Sequence, residues 1–184
     1  GLGGVGSHAA EALARAGIGE LTLVDKDIVD VSNINRQLVA LCSTVGQPKT
    51  DVMARRIQDI NPHVQIHTYP MFFLTPSDGA QFSPAPEYII DAIDNVTGKL
   101  ALAEYARAQN VPMIMCLGTG NKAKVMRHEL SRREFASMPV LFSDEPPLTN
   151  ATPPGSLSYV PPVAGYMLAG YIIRQIMEKE DSHG

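Results

Sequence analysis

Apolar residues recur along this chain in two rhythms. From Ser7 to Ala16 they fall at helical spacing, with Ala10, Leu13 and Ala14 on one stripe and Gly17 placed to cap the end. Leu21 to Val24 is short and apolar enough for a buried strand. A second helical stretch begins around Pro48, a residue suited to the first helical position. Val52, Met53, Ile57 and Ile60 give it an apolar face, and Asn61-Pro62 ends it. Val64 to Tyr69 alternates as a strand does, and Tyr88 to Asn95 reads as a buried strand ending in carboxylates. An amphipathic helix follows over Lys99 to Ala108, then strands over Val111 to Leu117 and Val140 to Ser143. Helix, strand, helix, strand, helix, strand is the order that predicts an α/β fold, a parallel sheet with crossover helices. The last helix, from about Val163 to Met177, is apolar almost all round and is expected to be buried, in the core or in a subunit interface. Pro161, Pro162 and Arg174 interrupt its apolar run, which reads as a buried helix rather than a membrane span.

The polar stretches between these elements carry the chemistry. Gly1, Gly3 and Gly6 have the spacing of a nucleotide-binding turn: one glycine for the tight bend, one for close approach of backbone to phosphate, one for packing of helix on sheet. The helix that starts near Ser7 then offers free backbone N–H groups to the phosphates. Asp25 ends the next strand about twenty residues on, where an acidic side chain meets ribose hydroxyls. Such a turn normally follows a buried strand, so a further N-terminal segment is expected before Gly1. Asp27 to Gln37 is a loop of amide and guanidinium donors past a strand's carboxyl end, where ligands sit in open α/β sheets. Lys49 puts a cation in the first turn of a helix, against the dipole; it is either a solvated lysine or the seat of an anion. Asp91 can cap the sheet edge or pair with a lysine, whereas Asp94 is better placed to meet a ligand or a metal. Thr75 to Pro86 and Asp144 to Ser158 are turn-rich or proline-rich loops. The basic run Lys122, Lys124, Arg127, Arg132 and Arg133 is either a solvated helix face or a patch for RNA phosphates.

Composition narrows this picture a little. At 184 residues and 45% apolar content the chain can bury one sizeable core, and one domain is expected. A net charge of -4 excludes a generic polyanion binder. Cys42 and Cys116 make neither a disulfide framework nor a paired-cysteine metal motif, which fits a reducing, cytoplasmic setting. Cys116 falls on a buried strand and reads as core; Cys42 lies in a loop near the nucleotide side.

Taken together, Gly1-Leu-Gly-Gly-Val-Gly6, Leu23-Val-Asp-Lys-Asp27, Ser32-Asn-Ile-Asn-Arg-Gln37, Val45-Gly-Gln-Pro-Lys49, Ile60-Asn-Pro62 and Asp91-Ala-Ile-Asp-Asn95 resemble, in order and spacing, the ThiF/MoeB/HesA superfamily of adenylating enzymes. They span roughly the first half of the chain, and it is the combination that is specific. The resemblance implies a Rossmann-like, mostly parallel sheet with helices on both faces, extended by further strands and a C-terminal apolar helix. It implies that Gly1, Gly3, Gly4 and Gly6 hold ATP, that Asp25 binds ribose with Asp27 nearby, and that Asn33, Asn35 and Arg36 meet phosphates. Lys49 would stabilise charge on the α-phosphate, and Asp94, with Asn95 beside it, would bind Mg²⁺. The chemistry agrees: a carboxylate attacking a phosphorus builds charge on the phosphoryl oxygens, and Arg36, Lys49 and Mg²⁺ are fixed positive groups to meet it.

Within the superfamily, the absence of paired-cysteine zinc motifs points away from the sulfur-carrier activators. Tyr88 to Asp94 with Lys99, Gly118-Thr-Gly-Asn-Lys122, Ala123-Lys-Val-Met-Arg127 and Gly155-Ser-Leu-Ser-Tyr-Val-Pro161 resemble instead the dehydratases of threonylcarbamoyladenosine in tRNA. That branch implies a tRNA substrate and a homodimer. Two departures stand out. Nothing here matches the family's segment before the glycine turn, which often carries an arginine that reaches ATP across the dimer. The longer segment the family has between what are here Lys122 and Ala123, which can hold a functional cysteine, is also absent. Activation of a small ubiquitin-like sulfur carrier, with a sulfur-acceptor protein as partner, is the alternative in the same superfamily. An NAD-dependent dehydrogenase would use the glycine turn and Asp25 but leave Arg36, Lys49 and Asp94 unexplained. A non-catalytic scaffold would have no need of the charged set.

Overall fold

A computed structural model describes residues 1–119, 121–133, 135, 137–143 and 158–182. They form two compact units, one of residues 1–71 with 158–184, the other of residues 72–157.

In the first unit, helix α1 (Gly6–Arg15) leads into strand β1 (Glu20–Val24). Gly17 closes α1 with φ +85, its N–H on Ala14 and that of Ile18 on Leu13, the paired bonds of a Schellman cap. Helix α2 (Lys49–Ile60) follows, then strand β2 (Gln65–Tyr69), parallel to β1 with Leu21 opposite Ile66 and Leu23 opposite Thr68. Pro48 stands at the N-cap of α2, one residue outside the expected start, and Lys49 is the first helical residue. Met53 and Ile57, four apart on one helical face, are fully buried.

The C-terminal helix α5 (Val160–Asp181) packs against α1. It is less buried than its composition predicts. Only Gly165, Leu168, Ala169 and Ile172 are buried, at positions one helical turn apart, while Val163, Tyr166, Met167 and Met177 are exposed. One neighbouring helix covers one stripe, and an all-apolar helix has more than one stripe to cover. Among the described residues, no helix is long and apolar enough to cross a membrane.

The second unit holds strand β3 (Ile89–Asp91), helix α3 (Val96–Ala108), strand β4 (Met113–Thr119), helix α4 (Asn121–Arg132) and strand β5 (Val140–Ser143). The strands lie in the order β3-β4-β5, all parallel. Strand β3 is much shorter than the Tyr88 to Asn95 expected, for reasons given below. The core of the unit is a cluster around Met115, Ala103 and Leu117, with Phe73 stacked on Phe82 and both rings edge-to-face with Tyr105, at centroid distances of about 6 Å. Helix α4 runs unbroken through Lys122 and Ala123. Residues 144–157, where a proline-rich loop is expected, lie outside the described residues.

Candidate functional site

The glycine turn is held from both sides. The Gly1 nitrogen donates to the Val24 carbonyl at 2.9 Å, and the Leu2 N–H donates to Asp25 Oδ2 at 2.6 Å. Asp25 Oδ1 accepts from the Asp27 N–H at 2.8 Å. Asp25 therefore ties the turn to the end of β1, a role that the ribose expectation did not contain. Ser7, fully buried, donates through Oγ to the Gly3 carbonyl at 2.6 Å and accepts from the Leu38 N–H at 3.3 Å. At Gly4 a Cβ would stand 2.7 Å from Pro161 Cβ and 3.2 Å from the Arg36 carbonyl oxygen, so packing by α5 and by the Arg36 backbone requires a glycine there. The first turn of α1 contains no acidic residue, which leaves its positive end uncompensated from within the helix.

The loop after β1 is organised by its own polar side chains. Asp30 accepts from the Ser32 N–H at 2.8 Å while the Asn33 side-chain oxygen accepts from the Asp30 N–H at 3.1 Å, a reciprocal capping box around the short 3₁₀ turn Val31–Asn33. Hydrogen bonds from Ser32, first through its side chain and then through its N–H, hold the Asp30 carboxyl below its usual range. Arg36, half-buried, donates through Nη1 to the Ser32 carbonyl and to Asn35 Oδ1, both at 2.8 Å. Asn33, Asn35 and Arg36 thus form one local network. Next to it, Gln37 is buried and its Oε1 has no hydrogen-bond partner among the described residues.

Lys49 is neither solvated nor unpartnered. It is 4% exposed, its N–H donates to the Asp27 carbonyl at 3.0 Å, and its Nζ reaches Asp27 Oδ2 at 3.0 Å. Lys26 Nζ meets the other oxygen of Asp27 at 2.8 Å. Partial burial pushes the Asp27 carboxyl up, but hydrogen bonds and charge from Lys26 and Lys49 outweigh it, and the net shift is downward. Two lysines share the Asp27 carboxylate beside the first turn of α2, which also carries Asp51.

Asp94 and Asn95 stand in the other unit. Asp91, at the end of β3, is fully buried, and Lys99 is 6% exposed. Lys99 Nζ donates to Asp91 Oδ2 at 3.0 Å and to the Cys116 carbonyl at 2.6 Å. Of the two roles open to Asp91, the lysine pairing is the observed one. Asp91 Oδ1 accepts from the Ile93 N–H at 2.8 Å, which turns the chain out of the strand and leaves Asp94 exposed in the loop. Asn95 is the N-cap of α3, its side-chain oxygen accepting from the Gly98 N–H at 2.7 Å. Cys116 is buried, and burial pushes its thiol up, the opposite of what a nucleophile needs. Cys42 is exposed.

Of the basic run, Arg127 lies over Phe142, Arg132 meets Glu129 at 3.3 Å and Arg133 meets Glu104 at 2.8 Å. Much of that charge is therefore answered locally. Among the described residues, no group of three or more His, Cys, Asp or Glu side chains is arranged to hold a metal by protein ligands alone.

Comparison with known proteins places this arrangement in a lineage. The family model described as the ThiF family matches residues 1–183. A tRNA threonylcarbamoyladenosine dehydratase of Bacillus subtilis is 37% identical over 216 residues, covering 97% of this chain and 85% of its own. The crystal structure of the Escherichia coli tRNA N6-threonylcarbamoyladenosine dehydratase in complex with ATP superposes with a TM-score of 0.89 at 34% identity, over 100% of this chain and 86% of that one. A sulfur carrier protein adenylyltransferase of Thermus thermophilus is 26% identical over 183 residues, covering 96% of this chain and 67% of its own. The glycine turn, the donor loop, the buried Lys49 and the parallel α/β architecture with its C-terminal helix have a common explanation: this chain belongs to the ThiF family and has its Rossmann-like fold.

Proposed function

We propose that this chain is an ATP-dependent adenylating enzyme that acts on threonylcarbamoyladenosine in tRNA and drives its dehydration. The observation that carries this reading is the likeness to dehydratases of that nucleoside along nearly the whole of both chains. The substrate carboxylate attacks the α-phosphorus of ATP and pyrophosphate leaves. Attack by the neighbouring carbamoyl group on the acyl adenylate then expels AMP and closes a ring, the net loss of one water.

In this reading Gly1, Gly3, Gly4 and Gly6 form the phosphate turn, with Asp25 and Asp27 at its rim. Asn33, Asn35 and Arg36 meet the phosphates, and Lys49 stabilises the charge that builds on the α-phosphate. Its burial supports this, because a charge in a dry setting acts more strongly on its neighbours than one in water. Asp94, with Asn95 beside it, would bind Mg²⁺. A single exposed carboxylate suits that ion, which keeps several waters and takes most other ligands from nucleotide phosphates rather than from a protein cage. Bound there, Mg²⁺ would neutralise phosphate charge. The residues form one functional domain, working as a homodimer in the cytoplasm; the exposed Val163, Tyr166, Met167 and Met177 on α5 favour a subunit contact.

The test is ATP–pyrophosphate exchange, with bulk tRNA bearing threonylcarbamoyladenosine and with tRNA lacking it. Exchange that needs the modified tRNA is the expected result. Exchange driven instead by a small carrier protein moves the chain to the sulfur-carrier branch. In the same assay Asp94→Ala abolishes turnover while the thermal transition stays in place; near-normal turnover sinks the metal assignment.

A further inference from the structure

The buried pair Asp91–Lys99 is not explained by stability alone. A buried ion pair loses its hydration and recovers it only through its partners, so two apolar side chains of the same shape hold a core as well or better. What the pair does that apolar side chains cannot is fix backbone. The Lys99 ammonium ties the end of β3, through Asp91 Oδ2 at 3.0 Å, to the middle of β4, through the Cys116 carbonyl at 2.6 Å, and it rides on the first turns of α3. The second oxygen of the same carboxylate holds the Ile93 N–H at 2.8 Å. Two residues further on, Asn95 is pinned as the helix cap by Gly98 N–H at 2.7 Å. Gly98 packs closely enough that a Cβ there would stand 2.7 Å from the Phe73 carbonyl oxygen, so no side chain fits at this turn. Asp94 is thus the single residue between two anchored neighbours, Ile93 and Asn95.

We infer that Lys99 is a positioning residue for Asp94. Through Asp91 it sets the backbone that aims the Asp94 carboxylate, and so tunes binding of the metal–nucleotide complex without touching it. This rests on the proposed reading of Asp94 as the metal-binding carboxylate.

The test compares Lys99→Met with the double substitution Asp91→Asn with Lys99→Met, which keeps an oxygen acceptor for the Ile93 N–H. The double variant strands no buried charge, so it keeps the fold available where the single variant is too unstable to study. Two quantities are read on the full chain: hydrogen exchange of the Ile93 and Asp94 amides without ligand, and binding of Mn²⁺–ATP followed by the paramagnetic signal of the manganese. The expected result is exchange at least about tenfold faster in the double variant and Mn²⁺–ATP binding weakened by about tenfold, one residue's worth of lost pre-organisation. Retained protection at Ile93 in the double variant overturns the clamp. Faster exchange with Mn²⁺–ATP binding unchanged, while Asp94→Ala weakens that binding, reduces Lys99 to a structural role and overturns the inference. Binding indifferent to Asp94→Ala overturns the reading of Asp94 itself and takes the inference with it; the exchange data tell that failure from the first.

Discussion

Two buried lysines, one in each unit, are paired with aspartate at the same distance and differ in almost everything else. Lys99 faces Asp91, which has no exposure at all, and a strand carbonyl completes its surroundings. Lys49 faces Asp27, whose side chain is 44% exposed and is shared with Lys26. The first pair is closed: both charges are committed to each other and to backbone. The second is open on the carboxylate side, where Asp27 meets water as well as two lysines. A closed pair acts only through the backbone it holds. An open one can exchange part of its partnership for an incoming anion, because the released carboxylate has water to turn to. Burial of a lysine is thus not a sign of function in itself; the exposure of its partner decides.

The largest effect that separates the two is on stability. Lys99→Met leaves Asp91 charged or forced to protonate in the core and should cost about 3–5 kcal/mol of unfolding free energy. Lys49→Met keeps the packed stem and frees a carboxylate that water can reach, so its cost should stay near about 1 kcal/mol. Urea unfolding monitored by circular dichroism measures both. Equal losses would erase the distinction between a closed and an open pair.

Activity should reverse the order of emphasis. Lys49→Ala should lower ATP-dependent turnover by about 10²-fold or more, the scale of losing one preorganised charge-stabilising group. Its urea midpoint should move little. A variant with an unchanged rate would return Lys49 to a purely structural part.

The lysines also show what could be read from residues in order. The alternation of elements, the glycine turn, Asp25 and the two readings of Lys49 follow from spacing and residue type, because period and turn chemistry are local. Asp91 was open to pairing with a lysine, but choosing Lys99 required a tertiary contact with Cys116 on another strand. The strand expected over Tyr88 to Asn95 shrank to Ile89–Asp91 because two side chains, Asp91 and Asn95, bond to nearby backbone and outbid the sheet ladder. Apolar content alone cannot announce such a bond. For α5, hydropathy predicts burial in the core or in a subunit interface, and the described residues of the chain itself supply one packed stripe. Gln37, buried with no partner for its Oε1 among the described residues, carried no sequence signal beyond its place in a polar motif.

The smallest expected effect is the acid response of the open pair. The Asp27 carboxyl titrates below its ordinary value of 3.8 because Lys26 and Lys49 together outweigh the upward push of burial. A carboxyl depressed in the folded state binds fewer protons there than in the unfolded chain, so stability rises with pH across its titration. The contribution is therefore in place above about pH 3.8 and is lost as pH falls from there through the lower folded value. Lys26 and Lys49 contact the carboxylate at 2.8 and 3.0 Å, inside the roughly 8–10 Å screening length at ordinary ionic strength, so salt weakens the effect only in part. Unfolding midpoints followed from pH 6 to pH 3 should fall less steeply in Asp27→Asn than in the parent chain, and 0.5 M salt should narrow the gap between the two curves. If the curves differ as much in high salt as in low, the charges of Lys26, Asp27 and Lys49 are shielded from solvent, and the pair around Lys49 is as closed as the one around Lys99.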